Sequence, residues 1–79
     1  MLDFFEYKYF TVKQQPLQPG RKTHVYLVIN NREKYTIGRI EWYGPWRQFC
    51  FFPDAGTVWS AGCLDDIQDM LRSLAKPAR

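Results

Sequence analysis

The stretch Trp42-Tyr43-Gly44-Pro45-Trp46-Arg47-Gln48-Phe49-Cys50-Phe51-Phe52-Pro53 decides how the rest of the chain is read. Six aromatic rings, two prolines, one glycine and one arginine share its twelve positions. Aromatic residues suit the pleated, half-buried surface of a sheet, and Gly-Pro is a turn signal. The stretch therefore reads as the end of one strand, a turn at Gly44-Pro45, and a second strand over about 47–52 that Pro53 closes.

Working upstream, residues 34–43 alternate with period two. Gly38, Ile40 and Trp42 share one face, and Ile37, Arg39, Glu41 and Tyr43 share the other. Gly38 in mid-strand marks a bulge or a close approach by a neighbour. Residues 23–29 form the partner strand of a hairpin, with Val25, Leu27 and Ile29 on one side and His24, Tyr26 and Val28 on the other. Asn30-Asn31 supplies residues tolerant of left-handed backbone at the tip. Pro16, Pro19 and Gly20 make 14–22 a loop, and residues 4–13 read as one long first strand. In that strand Phe5, Tyr7 and Tyr9 share a face opposite Phe4, Phe10 and Val12, so it is covered twice or bulged near Phe10.

Downstream, Asp54-Ala55-Gly56 is a turn, and residues 57–59 are a short fifth strand or merely extended. A helix follows over about 61–75, with Ser60 as N-cap. Cys63, Leu64, Ile67, Met70, Leu71, Leu74 and Ala75 fall on one stripe of it. Asp65, Asp66 and Asp69 lie near its amino end, and Arg72, Lys76 and Arg79 at or beyond its carboxyl end, as the helix dipole favours. Pro77 stops it. The expected architecture is one α+β domain over residues 1–79: an antiparallel sheet of four to five strands with one C-terminal amphipathic helix packed on one face.

Composition narrows the function classes. A chain of 79 residues holds a thin core, which large rings fill efficiently. There is no run of about 18 apolar residues, so no membrane span is expected. Met1-Leu2-Asp3-Phe4 has an acid where an export signal carries lysines, so a cytoplasmic protein with free thiols at Cys50 and Cys63 is expected. Net charge is +3, a bias toward acidic partners without the clustered basic stripe of a dedicated nucleic-acid binder.

Chemistry is sparse. His24 with Cys50 or Cys63 could form a thiol–imidazole pair, but no family signature accompanies them and both cysteines suit packing positions. Asp65, Asp66 and Asp69 do not converge for a metal and read as a solvated helix face. No phosphate-binding glycine pattern is present. No catalytic residue, metal or cofactor is expected.

What remains is an aromatic–basic set: Tyr26, Tyr35, Arg39, Tyr43, Trp46 and Arg47. Aromatic rings beside arginine serve both single-stranded nucleic-acid binding and protein-binding hot spots. Trp42, Phe49 and Phe51 are expected to hold the sheet to the helix through Ile67 and Leu71. Tyr43, Trp46 and Arg47, around the turn, are left to meet a partner, or in the case of Arg47 to pair with Glu41. Monomer and homodimer both fit, the latter by capping an open sheet face or edge.

Residues 37–53, then Val58 and Cys63-Leu64-Asp65-Asp66-Ile67, resemble a family of short proteins encoded in phages, prophages and other bacterial mobile elements. The shared pattern is Gly-x-Ile-x-Trp-Tyr, a Trp-Arg pair, a Phe-x-Pro ending and a Cys-Leu-x-Asp-Ile helix start, and the likeness spans about residues 37–71. Small mobile-element proteins of this build include inhibitors of host defence, anti-CRISPR proteins among them. The resemblance implies a non-enzymatic protein in the cytoplasm of a bacterial host. It would bind a host protein complex stoichiometrically, most concretely a CRISPR effector complex. A small nucleic-acid-binding module, using Arg21, Lys22, Arg39 and Arg47 with tyrosine and tryptophan stacking, is the alternative.

Overall fold

The computed structural model describes residues 4–75, so the expectations for Lys76, Pro77 and Arg79, and for residues 1–3, lie outside the described residues. Five strands, β1 (Phe4–Glu6), β2 (Phe10–Gln14), β3 (Tyr26–Asn30), β4 (Thr36–Tyr43) and β5 (Gln48–Pro53), pair antiparallel in chain order. One turn of 3-10 helix at Gly44–Trp46 joins β4 to β5, and α1 (Ala61–Ala75) packs on one face of the sheet. The class and the sheet-plus-helix architecture are those the sequence indicates.

The fifth strand comes from an unexpected place. Residues 4–13 are not one strand but the hairpin β1–β2, with Phe5 opposite Val12 and Glu6 opposite Thr11. No glycine or proline announces its turn at Tyr7–Tyr9. The turn is instead held from a distance by Asn31. Its Nδ2 donates to the carbonyls of Tyr7 (2.9 Å) and Lys8 (3.3 Å), its backbone N–H donates to Tyr9, and its Oδ1 accepts from the Thr11 hydroxyl at 2.6 Å. Residues 57–59 form no strand. The Thr57 hydroxyl turns back to the Asp54 carbonyl at 2.7 Å and receives the Trp59 indole N–H at 2.8 Å.

The hairpin also reverses the expected faces. Phe5, Phe10 and Val12 lie together on the helix side, not on opposite sides. Tyr26 and Val28 join them from β3 and Ile40 from β4, and Ile67 and Met70 of α1 close the core. Trp42 leaves the core by geometry: it shares this face but stands 40% exposed at the strand end, edge-to-face with Phe49. Leu64 and Ala75 of the expected helix stripe are also exposed. Ser60 caps α1 as its sequence suggests, its hydroxyl accepting the Cys63 N–H at 3.2 Å. At the β3–β4 tip the left-handed residue is Lys34 (φ 66°) rather than an asparagine, because the Asn30 side chain is engaged. Its Oδ1 accepts the N–H groups of Arg32 and Glu33, both at 2.8 Å.

Gly38 is a close approach. The Phe51 ring lies over it, and a Cβ there would sit 2.7 Å from Phe51 Cε1. Trp59 then meets the Phe51 ring edge-on at 4.7 Å between centroids and Phe10 at 6.1 Å. Gly38→Ala is expected to cost about 1–3 kcal/mol by forcing Phe51 from its rotamer. Gly44→Ala, with nothing within 4 Å of its new methyl, is expected to change stability by less than about 0.5 kcal/mol. Urea unfolding of both variants measures the contrast.

The hairpin tip is tied to the helix by Tyr7, whose hydroxyl donates to Asp69 Oδ2 at 2.9 Å. Burial first, and the bond to Asp69 second, push the phenol up from 10.0 to about 12. The protonated phenol is thus the form the fold favours, so its contribution is intact below pH 10.0 and is lost as pH rises toward about 12. Tyr7→Phe is expected to cost about 1 kcal/mol at neutral pH and to flatten the stability profile across that window. Denaturant midpoints at stepped alkaline pH, read for wild type and variant, check this.

Candidate functional site

One helix covers one face of the sheet; among the described residues nothing is layered on the other. Strand register assigns that open face. Leu27 lies opposite Arg39, Arg39 opposite Phe52, Glu41 opposite Cys50, and Tyr43 opposite Gln48, all pointing away from α1. Leu27 and Ile29 supply half-buried aliphatic surface on it; Ile37, expected on the same face, is the extra residue of a β-bulge opposite Val28 and Ile29 and packs against the core instead.

Along this face runs a connected ladder. The Arg39 guanidinium sits 4.5 Å over the Phe52 ring centroid, a cation–π contact. Its Nε donates to Glu41 Oε1 at 2.6 Å, and Arg21 approaches the other oxygen of Glu41 at 3.8 Å. Phe52 meets Tyr43 at 6.0 Å, and Tyr43 meets Trp46 at 5.2 Å with the rings perpendicular. Cys50 lies between Phe52 and Tyr43 on the sheet, and its small side chain leaves room for these rings to converge. Trp46 ends the ladder on the 3-10 turn, 66% exposed.

Arg47 follows in the left-handed region, with φ 51° and ψ 47° and its N–H donated to the Gly44 carbonyl at 3.1 Å. A Cβ makes this conformation cost roughly 1–2 kcal/mol, and glycine is the residue that usually occupies it. An exposed arginine held there beside an exposed tryptophan is strain kept at a surface rather than at a packing position.

Of the sequence-derived set, Arg39, Tyr43, Trp46 and Arg47 come together here. Tyr26 does not: it pairs with Ile40, one position out of phase with Arg39, and so is buried on the helix side with its phenol pKa raised by that burial. Tyr35 is exposed but sits at the β3–β4 tip. The length of β4, roughly 26 Å for eight residues, separates it from Trp46. Arg47 does not pair with Glu41; Arg39 and Arg21 do. Phe52 is the member that sequence reasoning missed, while Glu41 and Arg21 meet each other rather than the partners expected of them. The available signal was the parity of β5: if Phe49 and Phe51 face the helix, Phe52 must face out.

Cys50 lies on the open face and Cys63 on the helix, packed against the core of the opposite face. His24 is engaged elsewhere: its Nδ1–H donates to the Gln15 carbonyl at 2.8 Å, since a carbonyl can only accept. Two depressions flank the ladder. A groove of about 440 Å³ runs along the outer side of β5 beneath the last turns of α1, lined among others by Trp46, Phe49, Leu71 and Arg72. A cleft of about 410 Å³ is lined by Arg21, Lys22, Thr23 and Trp42. No helix among the described residues is long and apolar enough to cross a membrane.

Arg47→Gly is expected to keep the fold and to shift stability by between zero and about +1 kcal/mol, because strain relief outweighs the added freedom of the unfolded chain. Arg47→Ala retains the strain and is expected to change stability little. Urea midpoints of the two variants, compared with wild type, check the sign.

No family model and no solved structure matches the chain. A 9.3 kDa protein of Acholeplasma phage L2, described as uncharacterized, is 34% identical over 56 residues, which cover 71% of this chain and 72% of the phage protein.

Proposed function

The chain belongs to a family of small phage proteins that includes the 9.3 kDa protein of Acholeplasma phage L2, and we propose that it is a non-enzymatic binding protein that engages a host protein through its open sheet face. The observation that carries this reading is the Arg39–Phe52–Tyr43–Trp46 ladder ending at a strained, exposed Arg47. Tryptophan, tyrosine and arginine dominate protein-binding hot spots because each combines large contact area with directed polar groups. Leu27 and Ile29 provide the apolar surround that excludes water from such a centre.

The same geometry argues against base stacking on this face. Arg39 already occupies the face of the Phe52 ring, and its charge is met by Glu41, so neither is free for a base or a phosphate. The concrete version is an anti-CRISPR protein, acting in the bacterial cytoplasm by covering a functional surface of a CRISPR effector complex. The second reading, a nucleic-acid module, is favoured by one observation: the cleft that sets Arg21 and Lys22 beside the exposed Trp42.

Purified effector complex, titrated with the wild-type protein, is expected to saturate at a fixed ratio and to lose target binding. Trp46→Ala or Arg47→Ala is expected to weaken capture by about thirtyfold or more, equivalent to about 2 kcal/mol. Saturable binding with no loss from either substitution would discard the open face as the site. Single-stranded oligonucleotide is expected to give no shift at low salt. A shift whose log–log salt slope flattens in Arg21→Ala/Lys22→Ala would establish the second reading instead.

A further inference from the structure

The edge of the sheet carries a separate inference. β5 has no strand on its outer side among the described residues, and its sequence, Gln48-Phe49-Cys50-Phe51-Phe52-Pro53, contains no charge. Edge strands are ordinarily protected by charge, brevity or cover, because their free backbone groups pair with any strand that approaches. Which groups are free follows from one bond. The Asp54 N–H donates to the Ile37 carbonyl at 3.0 Å, in register with the β4–β5 ladder. Residues 48, 50 and 52 therefore direct their backbone groups at β4, and Phe49 and Phe51 direct theirs outward. Pro53, which has no N–H, falls on the outward parity, where none is needed by β4. Among the described residues no backbone or side-chain hydrogen bond reaches the outward groups.

We propose that β5 pairs antiparallel with β5 of a second copy of this chain, about a two-fold axis at Cys50. In that register Phe49 lies opposite Phe51 of the second copy and Phe51 opposite Phe49, so the N–H and carbonyl groups of both phenylalanines in each copy are used. Moving the axis to Phe51 sets each Phe49 carbonyl against a proline nitrogen. Moving it to Phe49 sets Phe51 against Arg47, whose left-handed backbone cannot continue a strand. The register at Cys50 also places Arg47 of one copy beside Pro53 and Asp54 of the other. Both charges are exposed, and the ion pairs of the described residues all involve Glu41 instead, so the two ends of the interface are charge-complementary. The groove along β5 gives the second strand and its rings space to enter. The two Cys50 residues become a non-hydrogen-bonded pair with Cα atoms about 4.5 Å apart, within reach of a disulfide.

Sedimentation of the wild-type protein is expected to show a concentration-dependent dimer. Copper(II) phenanthroline, which accepts the electrons as two thiols lose their protons, is expected to link that dimer in wild type and Cys63→Ser but not in Cys50→Ser. Arg47→Glu and Asp54→Lys are each expected to weaken the dimer several-fold, and the double reversal to restore it. Cys50→Lys sets two cations face to face across the axis while giving each a Glu41 neighbour within its own copy, and is expected to yield a folded monomer by circular dichroism and sedimentation. A wild-type protein that stays monomeric to high micromolar concentration would overturn the proposal and leave β5 to a strand of a different protein. A dimer that still cross-links after Cys50→Ser, or that ignores the charge reversals, would overturn it equally.

Discussion

The Phe51 ring folded over Gly38 is the contact on which the remaining structure rests. A residue without Cβ on β4 opens a space in the middle of the sheet, and a ring from β5 fills it. That ring gives Trp59 a surface to meet edge-on, and Trp59 in turn reaches Phe10 on β2. One vacancy thus joins β4 and β5 to the far side of the sheet through three rings. It also positions the connection from which α1 departs. In a domain of 79 residues, where buried area is scarce, such a ring cluster does what several aliphatic layers do in a larger core.

Fixing Phe51 inward fixes the parity of everything beside it. Phe52 and Cys50 must point outward, and across the ladder so must Arg39, Glu41 and Tyr43. The open face is therefore a consequence of how the core is packed. Among the described residues one helix is available and the second face has no cover, and its rings are arranged against each other and against Arg39 instead. Arg47, like Lys34 at the β3–β4 tip, holds a left-handed conformation that a glycine would hold at lower cost, and of the two it is Arg47 that stands beside the ladder. Packing gives no reason for it, which is why the turn draws attention as a contact point.

The sequence was most legible where its periodicity was local. The 3.6-residue stripe and Ser60 located α1, and the Gly-Pro turn located the β4–β5 hairpin. It was least legible where a remote side chain does the turning. Nothing in Tyr7-Lys8-Tyr9 signals a reversal, because the carbonyls that need partners there are satisfied by Asn31, more than twenty positions away. The same difficulty hid part of the ladder. Arg39, Tyr43, Trp46 and Arg47 were visible as an aromatic–basic cluster, but Phe52 belongs to it through strand register. Tyr26 was misplaced because residue type does not reveal which of two apolar faces the helix will choose; both sides of β3 are apolar, and only packing against Ile67 and Met70 decides.

Face and edge are chemically different surfaces that share one turn. The face offers rings and a neutralised guanidinium; the edge offers unpaired backbone and no charge. In an antiparallel continuation of a sheet, residues opposite each other project to the same side. Pairing through β5 would therefore carry both open faces to one side of a single ten-stranded sheet, with the helices together on the other. The two ladders would flank the axis, and a partner with two equivalent binding points would meet both at once. The second engagement would then be intramolecular, raising avidity without any new contact. For a small protein whose individual face is limited in area, self-pairing at an uncharged edge enlarges the binding surface without requiring a longer chain.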